Sequence, residues 1–294
     1  MMAGTMRAAA GKWLGYLLTP VYLLVFGFLL AVFHPVQVIC RRMGGYGAHK
    51  KSVDILNLLI VRSLFILGVR VSFRGVEALP GDRPVVLISN HQSMFDIPPI
   101  VWEFRARHPK FIAKVELGKG IPSISYNLRH GGSVLIDRGK PLQSVREIGK
   151  LGRYIEQNRY AAVIFPEGTR TRDGTMKPFL PAGIDALLKA APSAVVVPLA
   201  IDGTYGLTKN GLYPLSFGAG VTITALDPIE PGDHPAEDVV REAARVICAP
   251  RLLLRERRGY DTLLSQPYLQ DGRRRASPSL SGFLKRSWFT RQVE

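Results

Sequence analysis

His91 and Asp96 stand five positions apart, as H-x-x-x-x-D, directly after the apolar, β-branched run Pro84 to Ser89. A histidine just past a strand end, with a carboxylate arriving as the next helix begins, has the makings of a base. Asp96 can hold one ring nitrogen while the other faces substrate. The spacing alone discriminates little: His49 and Asp54 repeat it with no strand before them, and Asp96 ahead of Pro98 and Pro99 reads equally well as a helix N-cap. Two further constellations occupy equivalent places. Ile136-Asp137-Arg138-Gly139 closes a strand beginning near Ser133, and Phe165-Pro166-Glu167-Gly168-Thr169-Arg170 follows the strand Ala161 to Phe165. Open α/β sheets bind ligands at the carboxyl ends of their strands, so the three constellations converge if those strands are parallel neighbours. Arg138 and Arg170, with Arg172 near, suit a phosphate, because guanidinium offers paired donors to its oxygens. Gly168 permits a close backbone approach. Singly, each segment is an ordinary charged turn; together they point to a site.

Missing patterns narrow the chemistry. There is no G-x-S-x-G elbow and no G-x-x-x-x-G-K-[ST] loop, and Gly218-Ala219-Gly220 lacks the third glycine of a dinucleotide fingerprint. No H-E-x-x-H occurs, so no metal is called for. What remains is a histidine base without its own nucleophile, and the nucleophile is then expected from the substrate.

The elements that must carry these residues are legible as alternation. Strand-like runs cover Arg70 to Phe73, Pro84 to Ser89, Lys110 to Lys114, Ser133 to Asp137, Ala161 to Phe165, Ala194 to Ile201 and Gly220 to Leu226. Helical patterns cover Ile97 to Ala106, Leu142 to Gln157, Ala182 to Ala190 and Ala236 to Arg255. The expectation is one α/β domain over residues 70–260 with a largely parallel central sheet.

Residues 1–69 read differently. Trp13 to Phe33 is uncharged over 21 residues and, as a helix, about 31 Å long, enough to cross a bilayer. Pro20 inside it is expected to kink it. Val53 to Val69 is apolar but contains Asp54 and Arg62, and an arginine at a bilayer centre costs about 2.5–3.5 kcal/mol. Asp54, Asn57 and Arg62 make an imperfect polar face. This segment is therefore expected to lie in the interface or against the first helix, with a buried helix of the folded domain as the alternative. The two make an N-terminal, membrane-associated helical hairpin. Its linker carries Arg41, Arg42, Lys50 and Lys51, and basic short loops stay on the cytoplasmic side, so the linker and everything after it are expected there.

The charge agrees. Of a net +16, twelve charges sit on the flanks: six basic residues and no acid before Asp54, and ten basic against four acidic from Arg251 on. A nucleic-acid binder would concentrate them on its folded part, whereas an anionic membrane attracts basic flanks of apolar sequence. Residues 261–294 have the composition of a basic, disordered tail. Phe283, Leu284, Trp288 and Phe289 beside Lys285 and Arg286 suit either a membrane contact or solvent. Two cysteines, Cys40 and Cys248, cannot build a disulfide framework.

Asn90 to Asp96 (N-H-Q-S-M-F-D), Ile136-Asp137-Arg138, Phe165 to Arg170 (F-P-E-G-T-R) and Val196 to Ile201 (V-V-P-L-A-I) resemble, in order, the four blocks of the glycerolipid acyltransferase family, most closely its bacterial 1-acyl-sn-glycerol-3-phosphate branch. The second block has Leu135 and Ile136 where the family carries phenylalanine. The resemblance implies an enzyme of phospholipid biosynthesis that moves a fatty acyl group from acyl-CoA or acyl-carrier protein to the sn-2 hydroxyl of lysophosphatidate. It implies His91 as general base, Asp96 as its orienter, and Arg138, Glu167, Gly168, Thr169 and Arg170 on the acceptor, Glu167 either binding it or pairing with an arginine. Pro198 is implied on the acyl side or as structure. No resident cofactor is implied, and the oxyanion falls to a backbone amide such as that of Gly168. Another lyso-acceptor, or a membrane-tethered esterase, stands as the alternative.

Overall fold

The computed structural model describes residues 2–257. The basic tail proposed for 261–294 lies outside the described residues.

Seven strands form one sheet: β1 (Arg70–Arg74), β2 (Val85–Ser89), β3 (Lys110–Lys114), β4 (Val134–Ile136), β5 (Ala161–Ile164), β6 (Val195–Asp202) and β7 (Gly220–Ala225). Their order is β1-β7-β6-β2-β5-β3-β4, and every pairing is parallel except β6 with β7. The α/β class and the largely parallel sheet are as the sequence leads one to expect. The central strands explain themselves: β2 (VVLIS), β5 (AAVI) and β6 (VVVPLAID) are buried at every position. Parallel strands covered on both faces read as continuous apolar runs rather than as alternation.

The covering helices are α2 (Ile97–Glu103), α3 (Ile124–His130), α4 (Pro141–Asn158), α5 (Ala182–Ala190), α6 (Thr204–Thr208) and α7 (Ala236–Arg257). Sequence periodicity misses α3 and α6, which have only two and one turns over which to establish a period. In α4, Ile148, Leu151 and Ile155 recur at three- and four-residue steps and are buried, as one helical stripe facing a core must be.

The N-terminal region corrects two expectations. α1 (Met2–Ser63) runs through the expected basic linker as helix, and its one non-helical residue is Gly45, at φ 65°, ψ −154°. That backbone region is essentially restricted to glycine, so the turn between the two arms is a single residue wide. Pro20 does not break the helix. It removes the N–H that would have bonded to the Tyr16 carbonyl, and the Tyr213 hydroxyl donates to that carbonyl at 3.5 Å. The arms pack together through Leu30, Leu56 and Ile60, with Phe26, Leu29 and Phe33 beside them. Val53 reaches the sheet core, while Leu64 and Leu67 share a second cluster with Tyr22 and Phe95. The second arm therefore touches both the first arm and the domain. Its three polar residues do not share a solvent face: Asp54 is buried against Lys50 at 2.5 Å, and Arg62 is exposed.

A polar seam fastens the turn of the hairpin to the amino end of β3. Lys110, 4% exposed, donates to the Tyr46 hydroxyl at 2.7 Å, and that hydroxyl donates onward to His108 Nδ1 at 2.8 Å. Burial, with Lys50 and Lys110 adding repulsion, pushes His108 down to about 4, so the imidazole is neutral and able to accept. Burial likewise pushes Lys110 down to about 8. A base held below its unfolded value binds fewer protons folded than unfolded, so stability rises with pH between about 8 and the ordinary lysine value near 10.5. Thermal midpoints of the detergent-solubilised protein should show that rise, and Lys110→Met should flatten it. An identical pH dependence in the two proteins would show that Lys110 is not the group responsible.

Candidate active site

His91 leaves β2 at its carboxyl end and its ring meets Asp96 at 2.8 Å, Nδ1 to Oδ2. The turn Met94–Asp96 between them is closed by a capping box: Ser93 Oγ accepts from the Phe95 amide and Asp96 accepts from the Ser93 amide. Asp96 thus does cap a turn, as the bland reading of the sequence has it, and holds the histidine with the same carboxylate. Its Oδ2 also accepts the Gln92 amide at 2.7 Å, and its Oδ1 accepts the Thr204 hydroxyl. The carboxylate is fully buried and is served by donors on both oxygens. The Nδ1 proton is then committed to Asp96, and Nε2 is left as a lone pair on a ring 17% exposed. Phe165 stacks on that ring at 4.1 Å and 18°, which limits its rotation.

Sheet order decides which other residues arrive. β2 lies between β5 and β6, so the segment after β5 is the immediate neighbour of His91. Glu167, 6% exposed, accepts the His91 amide on Oε1 at 2.7 Å and the Lys177 amide on Oε2 at 2.9 Å. The Thr171 amide donates to the His91 carbonyl at 3.0 Å. Glu167 therefore ties two loops to the main chain of the histidine. Thr169 and Arg170 project from the same tied segment and are exposed. The Gly168 amide donates to the Phe165 carbonyl at 3.0 Å, so it is engaged in the turn and does not serve an oxyanion as the sequence reading had it. At φ 69° Gly168 has nothing within 4 Å of where a Cβ would stand, and the approach to the turn is open.

Arg138 arrives elsewhere. It follows β4, the edge strand, three strand spacings or about 14 Å from β2, and is exposed. Between the two lies β3, whose last residue, Lys114, is exposed at the carboxyl edge with Glu116 at 3.7 Å. Its strand is plain in the sequence; the cation at the strand end, on the same edge as the three motifs, is the overlooked signal. Pro198 sits inside β6 opposite Ile88, buried, and its carbonyl accepts the Leu226 amide. Those contacts belong to the sheet. His49 and Asp54, the second H-x-x-x-x-D, lie on one helical arm, where five residues turn 500° and set the side chains about 140° apart. They make no pair, and Asp54 bonds to Lys50 instead.

Residues 70–202 match the protein-family model described as Acyltransferase. Among curated proteins, the chain is 28% identical over 207 residues to 1-acyl-sn-glycerol-3-phosphate acyltransferase alpha of Mus musculus, covering 68% of this chain and 71% of that one. It is 31% identical over 194 residues to a 1-acyl-sn-glycerol-3-phosphate acyltransferase of Chlamydomonas reinhardtii, covering 63% and 54%. The aligned part of the Ovis aries alpha protein is 53% of that protein's length. Among solved structures, the 1-acyl-sn-glycerophosphate (LPA) acyltransferase PlsC from Thermotoga maritima superposes with a TM-score of 0.65 at 22% identity, over 83% of this chain and 98% of that one. That match establishes a shared fold.

The two amides on Glu167 make a test. Glu167→Gln turns one acceptor oxygen into a donor facing an N–H, at a cost of about 1–3 kcal/mol. The thermal midpoint and kcat should fall together. A Glu167→Gln protein of unchanged midpoint, with only a raised acceptor KM, would mean that the side chain contacts substrate instead.

Proposed function

We propose, from the match of residues 70–202 to the Acyltransferase family model, that this protein is a membrane-associated 1-acyl-sn-glycerol-3-phosphate O-acyltransferase. The observation that carries the reading is the His91 ring, with Nδ1 bound to a buried carboxylate and Nε2 uncovered at a strand end. Nε2 takes the proton of the sn-2 hydroxyl of lysophosphatidate, and that oxygen attacks the thioester carbonyl of acyl-CoA or acyl-carrier protein. The tetrahedral oxyanion collapses, the C–S bond breaks, and the thiolate takes the proton from His91. Phosphatidate and the free thiol leave, with no acyl-enzyme and no resident cofactor. Ser89 and Ser93 are the serines flanking the histidine. Ser89 donates its hydroxyl to main-chain carbonyls and Ser93 uses its oxygen to cap a turn, which favours transfer over an esterase mechanism. Arg170 and Thr169 hold the phosphate from the β5 side, with Lys114 and Arg138 completing a basic rim along the carboxyl edge.

The membrane part of the proposal rests on the first arm of α1. Trp13, Leu14, Leu17, Val21, Leu24, Phe28 and Val32 are exposed and, at 100° per residue, fall within an arc of about 100°. The opposite arc carries Tyr22, Phe26 and Leu30, which pack inward. A helix apolar on its outer arc as well as its inner one has a hydrocarbon face. One helix, Ala10–Leu67, is long and apolar enough to cross a membrane by length and composition. Within this proposal the protein resides at the inner (cytoplasmic) membrane, and the basic flanks favour the cytoplasmic side for the domain.

The primary test is mass spectrometry of products when purified protein in detergent meets a panel of lyso-acceptors with acyl-CoA and acyl-carrier protein. Phosphatidate from lysophosphatidate is expected; a product from another lyso-acceptor alone would reassign the substrate. His91→Ala should lower kcat by roughly 10²- to 10⁴-fold with the fold intact, and folded His49→Ala should keep its activity. Activity within tenfold of wild type for His91→Ala would remove the base. Replacing Arg170 with alanine should raise acceptor KM roughly tenfold or more, beyond the effect of Arg138→Ala, and leave donor KM largely unchanged. Equal acceptor KM in all three proteins would move the phosphate elsewhere.

A further inference from the structure

Thr204 is the first residue after the turn that ends β6. Gly203, at φ 94°, swings the chain so that the Thr204 hydroxyl faces Asp96. Thr204 is fully buried and lies 108 positions from the carboxylate it touches. Its oxygen is also 3.1 Å from Gln92 Oε1, but that oxygen is already served by the Tyr205 amide at 3.1 Å. One hydroxyl proton cannot satisfy both acceptors, and the charged carboxylate takes it.

We propose, resting on the reading of His91 as base, that Thr204 is a positioning residue that tunes the base through Asp96. Every other donor to the carboxylate lies on Oδ2: the His91 ring and the Gln92 and Ser93 amides. Thr204 is the donor on Oδ1 among the described residues. It fixes the rotation of the carboxylate about Cβ–Cγ and draws negative charge away from the oxygen that faces the imidazole. Without it, the denser charge on Oδ2 stabilises the imidazolium, and His91 stays protonated to higher pH. The other groups tied to the histidine are Glu167, on its amide, and the Thr171 amide, on its carbonyl. Thr171 is flanked by Arg170 and Arg172, and Asp202 stands two residues before Thr204 on β6. None of them touches Oδ1 in the hydrogen bonds described, so the effect of the hydroxyl is separable from theirs.

Thr204→Val keeps the volume and removes the donor; Thr204→Ser keeps the donor. His91 can be followed by NMR of 13C-labelled histidine in the full-length, detergent-solubilised protein, its signal assigned by loss in His91→Gln. In Thr204→Val the titration midpoint of His91 should rise by about half a pH unit or more. The acid limb of kcat/KM should move with it, and kcat should fall about tenfold with KM for both substrates within twofold. Thr204→Ser should titrate and turn over as wild type does. An unmoved midpoint in Thr204→Val, or a Thr204→Ser protein as impaired as the valine variant, would overturn the proposal. If the valine variant does not fold, Thr204→Cys, with its weaker donor, must move the midpoint in the same direction, and no movement overturns the proposal equally. The NMR midpoint does not depend on which acyl reaction occurs. A wild-type protein without acyl transfer would sink the functional reading and leave the titration result to stand by itself.

Discussion

A buried carboxylate organises this molecule. Asp96 has no exposed surface, and a carboxylate without water is tolerated only where donors replace it. Those donors come from the turn it closes, from the histidine it serves and from a helix start more than a hundred residues away. The last of them is useful only if β2 and β6 are neighbours and in register, which the Ser89↔Leu199 pairing and the paired bonds of Asn90 to Ile201 enforce. The active site and the register of the central strands are therefore one structural requirement. A shift of one residue between the strands would take the Thr204 hydroxyl away from Oδ1 of a buried carboxylate.

Around that carboxylate, the same economy is repeated by Glu167, which spends its two oxygens on the amides of His91 and Lys177. Carboxylates at an active site invite assignment as acids, bases or substrate ligands. Here both accept main-chain amides, Asp96 holding the His91 ring as well, and the proposed chemistry is left to that imidazole. This division suits a reaction whose acceptor brings a phosphate, because an anion facing the cleft would oppose it, whereas Arg170, Arg138 and Lys114 at the exposed rim do not.

What the sequence makes plain, and what it hides, follows from the range of the interactions. The β2, β5 and β6 runs are legible because continuous burial demands continuous apolar sequence, and His91 with Asp96 because one turn joins them. Gly44, Gly45 and Gly47 within four residues do mark a turn by composition, but composition does not say which of the three takes the glycine-only conformation while its neighbours stay helical. Thr204 hides for a different reason: its partner is near in space only once β6 lies beside β2. Arg138 and Arg170 look equivalent as charged turns after strands, and only the strand order, which no local pattern carries, sets one beside the histidine and the other at the edge.

The hairpin reaches the turn that holds His91 through aromatic contacts. Tyr22 and Phe26, on the inward arc of the first arm, meet Phe95 edge-on at 5.9 and 6.4 Å. Phe95 is the residue before Asp96 and, at 2% exposure, has no freedom to move independently of it. The outward arc of the same two helical turns carries Val21, Leu24 and Phe28. A helix that offers hydrocarbon on one side and grips the capping turn of the base on the other sets how far His91 stands from whatever surface the outer arc enters. For a substrate whose acyl chain stays in the bilayer while its glycerol hydroxyl must reach Nε2, that distance is itself a catalytic variable. Hydrogen bonds also hold the first arm to the domain, from the Leu215 amide to Thr19 Oγ1 and from Ser123 Oγ to the Leu30 carbonyl, so substitutions at Tyr22 or Phe26 repack the aromatic contact while those bonds and the donors around Asp96 remain in place.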